Sequence, residues 1–318
     1  MERTDIKIIF MGTPQFSVPV LETLAQNFSV VGVVTEQDEP KGRGKKVTPP
    51  PIKVKAHELG IPVFQPKSLR KEPEGPKIVE ELKKLEPDFL IVAAYGKILP
   101  KTVLDIPKIA PINVHASLLP KLRGAAPIQF AILEGHEKTG ITIMLMDEGM
   151  DTGDILSQKS ITIEPTETSQ TLSEKLSTLG TKLLIETLNE YLKGSITPQK
   201  QDDSQATLTK MIKKEDGKID WNKTAIEIEQ QTRAFHPWPG TFTSWNNKYL
   251  KILPLASAVA DLTSQALGTV FKTADGKIAI ACGHGYIILN KIQLEGKPAT
   301  NVNSFVNGHL DFIGSKLE

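Results

Sequence analysis

An asparagine and a histidine, Asn113-Val114-His115, close an apolar run and form the densest polar feature on an otherwise hydrophobic stretch. In a β-strand alternate side chains share a face, so Asn113 and His115 would project the same way. An amide beside an imidazole suits acyl transfer. Asn113 can donate an N–H to a developing oxyanion, and His115 can stabilise that charge or move a proton. Taken alone, such a pair is more plainly a locally satisfied amide and a packed histidine. Downstream, the acidic, glycine-containing segment Met146-Asp147-Glu148-Gly149-Met150-Asp151-Thr152-Gly153-Asp154 separates two more apolar runs. One of its carboxylates can orient His115 and raise its basicity. Asp147, Asp151 and Asp154 are all candidates, and spacing does not choose among them. Without a catalytic role the segment is an acidic turn in solvent.

The elements that would position these residues alternate. Residues 6–11, 30–35, 88–94 and 111–115 read as buried strands, with helical patterns over 16–27, 50–59 and 77–85 between them. Strand-helix-strand repetition predicts an α/β, doubly wound, mainly parallel sheet of the Rossmann-like kind, whose strand carboxyl ends bind ligands. Residues 139–146 and 155–163 read as longer strands that finish the sheet. A helix over 171–192, with Leu172, Leu176, Leu179, Leu183 and Leu184 at helical spacing, closes the domain. The stretch 200–205 is polar and aperiodic and reads as linker. After a helix over 224–234 come short β-like runs with glycine-rich turns, which suggest a small OB-like β-barrel. The expected layout is a catalytic domain over 1–194, a linker over 195–209 and a second domain over 210–318.

Bulk properties bound the function. At 318 residues, 39% of them hydrophobic, two domains with ordinary cores are expected. The single cysteine, Cys282, excludes an intramolecular disulfide and cysteine-rich zinc modules, and it reads as a small buried hydrophobe. No metal-ligand spacing is visible, so no metal is expected. No run approaches the roughly 18 apolar residues that a membrane span needs, and the opening residues lack a signal-like apolar stretch. A cytoplasmic protein is expected. Gly12-Thr13-Pro14 follows the first strand, but without G-x-G-x-x-G it is not a dinucleotide fingerprint.

A net charge of only +1 means that nucleic-acid binding would need local clusters. Two are present. Pro40-Lys41-Gly42-Arg43-Gly44-Lys45-Lys46 combines cations with glycines, enough to track phosphates, and Lys210, Lys213 and Lys214 flank the linker. Either can also be a solvated charged surface. The aromatic turn Phe235-His236-Pro237-Trp238-Pro239-Gly240 can stack on a base, although packing at a corner is the plainer expectation.

Read in order, Asn113-Val114-His115, Ser117-Leu118-Leu119-Pro120, Arg123-Gly124-Ala125-Ala126-Pro127 and Asp151-Thr152-Gly153 resemble the folate-dependent formyltransferase family. The resemblance begins at Met11-Gly12-Thr13-Pro14, passes Gly42-Arg43-Gly44-Lys45-Lys46 and Ala94-Tyr95-Gly96, and continues to Pro237-Trp238-Pro239-Gly240. It is strongest to the branch that acts on methionyl-tRNA. That resemblance implies a catalytic trio of Asn113, His115 and Asp151, which selects among the three aspartates, and a folate pocket lined by Ser117, Leu118, Leu119 and Pro120. It implies 10-formyltetrahydrofolate as co-substrate and methionyl-initiator tRNA as acceptor. Arg43, Lys45 and Lys46 become acceptor-end contacts, with Lys210, Lys213 and Lys214 as a basic bridge. A monomer is expected. Competing expectations are a formyltransferase for a small amine such as an amino-sugar nucleotide, a 10-formyltetrahydrofolate hydrolase, and a non-catalytic RNA-binding protein on a degenerate enzyme domain.

Overall fold

The computed structural model describes residues 5–41, 44, 46–71, 73–254, 257–261 and 263–318, without the side chains of Lys41 and Lys46. Two compact units are present. One comprises residues 1–127, 139–161 and 173–209, and the other 128–138, 162–172 and 210–318.

The first stretch of chain runs β1 (Lys7–Gly12), α1 (Val18–Asn27), β2 (Ser29–Val34), β3 (Glu39–Lys41), β4 (Lys46–Thr48), α2 (Pro51–Glu58), β5 (Val63–Phe64), α3 (Glu74–Lys83), β6 (Phe89–Ala93), α4 (Lys101–Leu104) and β7 (Ala110–His115). There follow β8 (Arg123–Gly124), α5 (Pro127–Leu133), β9 (Lys138–Leu145), β10 (Ile155–Thr162), α6 (Ser169–Leu192) and β11 (Leu208–Thr209). Seven strands form one sheet in the order β10-β9-β7-β6-β1-β2-β5. The pairs from β5 to β7 are parallel, and β9 runs antiparallel to β7.

Ile8, Ile9, Phe10 and Met11 of β1 are all fully buried, as expected of a strand covered on both faces. Ile9 and Met11 pack with Leu90 and Val92 of β6, Val79 and Leu82 of α3, and Val103 of α4. The chain builds outward from β1 through β2 to β5, then returns through β6 to β7. That reversal sets a topological switch point between β1 and β6, and the parallel strands' carboxyl ends share one edge with the end of β7.

Some elements differ from the sequence expectation. The first helix opens with a 3-10 turn over Gln15–Ser17, and α1 starts only at Val18, with a proline at its second position. The long helix α6 starts at Ser169, where the Thr168 N–H donates to Thr171 Oγ1 at 3.1 Å and the Thr171 N–H to Thr168 Oγ1 at 3.3 Å. Flanking the basic segment, β3 and β4 pair antiparallel from Glu39 with Thr48 to Lys41 with Lys46, and Gly44 between them has φ +101°.

The second unit holds α7 (Ala225–Ala234), then β12 (Thr241–Trp245), β13 (Lys248–Ile252), β14 (Ser257–Val259), β15 (Val270–Lys272), β16 (Ile278–Ala281), β17 (Tyr286–Ile288), β18 (Lys291–Leu294), β19 (Thr300–Asn301) and α8 (Val302–Gly308). These strands make two four-stranded sheets, β12-β13-β18-β19 and β14-β17-β16-β15, antiparallel throughout. Trp245, Leu250 and Ile292 from one sheet and Val270, Ile280 and Ile287 from the other share a single core, as a small β-barrel requires. Asn246 and Asn247, both at positive φ, make the tight turn of the β12–β13 hairpin.

Candidate active site

Alternation along β7 puts Asn113 and His115 on one face at the strand's carboxyl end, at 8% and 5% exposure. Opposite them, in the β9–β10 connection, stands Asp151. Its backbone is left-handed (φ +56°), a costly conformation for a residue with a side chain. One carboxylate oxygen, Oδ1, accepts a long hydrogen bond from Asn113 Nδ2 at 3.4 Å and lies 3.6 Å from His115 Nδ1. The other, Oδ2, accepts the Gly124 backbone N–H at 2.8 Å.

The other two candidate aspartates do something else. Asp147 is exposed and accepts from the Gly149 N–H at 3.0 Å and the Thr152 hydroxyl at 2.7 Å, which makes it a turn residue. Asp154 contributes its backbone carbonyl to the Leu145 N–H.

The imidazole's tautomer follows from its partners. Nε2 lies 3.1 Å from the Leu122 carbonyl oxygen, which can only accept, so Nε2 carries a proton. In the neutral ring Nδ1 is then the basic nitrogen, and it faces Asp151. A proton arriving at Nδ1 would sit on a nitrogen 3.6 Å from Asp151 Oδ1.

The segment Ser117–Pro120 leaves β7 as a tightly bonded loop. Ser117 is fully buried and donates its hydroxyl to Lys121 O at 2.6 Å, so it shapes the loop and has no hydroxyl to spare. The Leu119 N–H donates to Thr142 Oγ1, which in turn donates to Ser117 O. Gln158 donates to Leu119 O and to Thr142 Oγ1, both at 2.8 Å. Leu118 and Pro120 are half-buried and are the loop's partly accessible side chains.

Several residues at this site carried no signal in the sequence. The stretch read as linker is bonded to the catalytic face. Arg123 N donates to Thr207 O, Leu122 N to Thr207 Oγ1, and Ala126 N to Thr209 Oγ1, while β11 pairs with β8. The Gln201 side-chain amide donates to Asp151 O at 2.9 Å and Gly153 O at 2.7 Å. Its oxygen accepts from Arg123 Nε and Nη2 at 3.0 and 2.8 Å. Arg123, 5% exposed, is neutralised by Asp203 at 2.7 Å. A polar run without periodicity looks the same whether it is free or strapped down.

The expected nucleic-acid contacts lie apart from this cluster in sequence. Arg43 and Lys45 fall outside the described residues, as does the Lys46 side chain. Lys210, Lys213 and Lys214 are exposed, and Lys210 pairs with Asp216 at 3.3 Å. In the aromatic turn Phe235 is buried as packing predicts, but Trp238 is 57% exposed, so the packing expectation fails for it. Burial, with Lys251 nearby, lowers the His236 pKa. No group of metal-ligating side chains is found among the described residues.

Comparison with known proteins places the chain in a family. The family model described as formyl transferase matches residues 6–188, and the formyl transferase C-terminal domain matches 211–310. A methionyl-tRNA formyltransferase of Clostridium novyi is 46% identical over 98% of this chain and 100% of its own length. One from Bacillus velezensis is 47% identical over 95% and 94%. Among solved structures, a methionyl-tRNA formyltransferase from Clostridium thermocellum superposes with a TM-score of 0.56 at 18% identity, covering 91% of this chain and 98% of that one. An N-formyltransferase of Helicobacter canadensis, in complex with folinic acid and dTDP-3-aminofucose, reaches 0.65 at 20% identity over 89% and 98%. At such identities the solved structures speak to the fold, whereas the relatives near half identity and the two domain models speak to descent: the chain belongs to the formyl transferase family, among relatives named methionyl-tRNA formyltransferase.

Proposed function

We propose that this chain transfers the formyl group of 10-formyltetrahydrofolate to the α-amino group of methionyl-initiator tRNA. The observation that carries the chemistry is the meeting of Asn113, His115 and Asp151 within 3.6 Å at the carboxyl end of β7. Relatives near half identity along almost the whole chain, named for methionyl-tRNA, support a methionyl-tRNA acceptor.

In this reading the formyl carbon on N10 of the folate is held against Asn113. The neutral methionyl amine attacks it, and Asn113 donates an N–H to the tetrahedral oxyanion. His115 Nδ1 takes the ammonium proton, and Asp151 stabilises the resulting imidazolium. The imidazolium then hands its proton to N10, which leaves as an amine. The free face of the loop over Ser117, Leu118, Leu119 and Pro120 borders the folate, Leu118 and Pro120 supplying its partly accessible side chains.

Arg43, Lys45 and Lys46, with Lys210, Lys213 and Lys214, make the phosphate contacts. The domains are a catalytic one over 1–194 and a tRNA-binding one over 210–318, joined by 195–209. The protein works as a cytoplasmic monomer, and no helix among the described residues is long and apolar enough to cross a membrane.

The test offers labelled 10-formyltetrahydrofolate with methionyl-initiator tRNA, methionyl-elongator tRNA, free methionine and an amino-sugar nucleotide. Labelling of the initiator alone is expected. Labelling of the sugar nucleotide in its place would overturn the acceptor and keep the chemistry.

A further inference from the structure

Gln201 sits 50 residues from Asp151 in sequence and 78 from Arg123, yet bonds to both. Its amide nitrogen grips two carbonyls of the aspartate loop, those of Asp151 and Gly153. Its amide oxygen is held by both donors of one edge of the Arg123 guanidinium. Arg123 in turn is fixed by burial, by Asp203, and by pairing of β8 with β11. The far side of the same clamp is the Gly124 N–H on Asp151 Oδ2.

Asp151 needs such a clamp. Its left-handed backbone is one that a non-glycine residue adopts only when neighbours over-determine it. Its next-but-one neighbour Gly153 passes so close to β9 that any side chain there would overlap the Leu145 carbonyl. With the backbone of 151 and 153 held by one amide, the carboxylate is delivered to Asn113 and His115 without the side chain having to search for them.

We infer that Gln201 is a positioning residue for the reaction. It acts through Asp151, holding the aspartate's carbonyl so that the carboxylate faces His115 Nδ1, and it touches neither substrate. This inference rests on the proposed role of Asp151. Among the described residues, Gln201 is the side chain that ties the aspartate loop to the buried arginine.

The test uses the full chain, with Gln201→Glu and Gln201→Asn made in the parent and in an Asp151→Ala background. Gln201→Glu keeps an oxygen towards Arg123 and removes both donors to the loop, and Gln201→Asn keeps the amide but shortens its reach. Single-turnover formyl transfer, KM for both substrates and circular dichroism are measured on each. Expected in the parent is a loss of about 10²-fold in the chemical step for Gln201→Glu, with both KM values within about twofold. Gln201→Asn should recover part of that loss. In the Asp151→Ala background neither change should cost more than about twofold, because the residue acts through a group already gone. Parental rates in both Gln201 variants would overturn the inference, as would an equal loss in the two backgrounds. Parental activity of Asp151→Ala itself would instead remove Asp151 from the proposed reaction, a failure of the site reading and not of the clamp alone.

Discussion

In the proposed reaction Asn113 donates to the developing oxyanion, while His115 offers the basic nitrogen that faces Asp151. The two should therefore fail differently. Asn113→Ala is expected to slow the chemical step about 10²–10³-fold at all pH values, with folding intact by circular dichroism. His115→Ala should lose at least as much, and part of its rate should return as external pH rises or imidazole is added, because a missing base can be supplied from solution. An Asn113→Ala variant with near-parental turnover would remove the oxyanion role. The pair was visible in the sequence because strand alternation aligns residues two apart. The tautomer was not, because it depends on the carbonyl of Leu122, and a backbone oxygen has no letter of its own. The choice of Asp151 over Asp147 and Asp154 likewise needed geometry or a family resemblance, since all three occupy one short acidic segment.

Among the elements, those with strong periodicity or caps matched expectation best. The helix α7 begins where a capping box begins it: Glu227 N donates to Thr224 Oγ1, and Glu227 Oε2 accepts from Thr224 N and its hydroxyl. Those bonds, the Thr224 backbone N–H first, hold the Glu227 carboxyl below its ordinary value. A carboxylate depressed in the folded state contributes stability that is present above the unfolded value and is lost as pH falls through the folded one. Thr224→Ala should thus cost about 1 kcal/mol near neutrality. The gap from the parent should shrink on acidification below the ordinary glutamate range, read from chemical denaturation at a series of pH values. A gap unchanged by pH would mean that the carboxylate half of the box is idle. Short elements escaped the sequence for a physical reason. Two-residue strands such as β5, β8 and β11 bury too little to leave a period, and their partners lie far off in the chain. The hairpin of β3 and β4 was hidden by its composition, since lysine and glycine are poor strand formers.

For the molecule as a whole, a near-neutral net charge leaves RNA affinity to a few placed cations. Replacing Lys210, Lys213 and Lys214 by Gln together should flatten the dependence of tRNA binding on log salt, by roughly 0.7 for each phosphate no longer neutralised. Because Lys210 already shares its charge with Asp216, the change should fall short of that for three phosphates. Arg43→Ala should raise the KM for tRNA and leave that for folate unchanged, and an unaltered tRNA KM would take Arg43 out of the interface. The two-part architecture was legible from the change of pattern after residue 200, but the point where the first part ends was not. The formyl transferase model stops at 188, close to the end of α6 at Leu192. The bonds from Gln201, Thr207 and Thr209 reach back to Asp151, Leu122 and Ala126. A shortened polypeptide stopped at residue 194 would keep every catalytic side chain and lose the scaffolding that aims them, whereas one stopped after Thr209 would keep both. The part of this chain that the proposed chemistry needs is thus bounded by its hydrogen bonds and runs well beyond the end of α6.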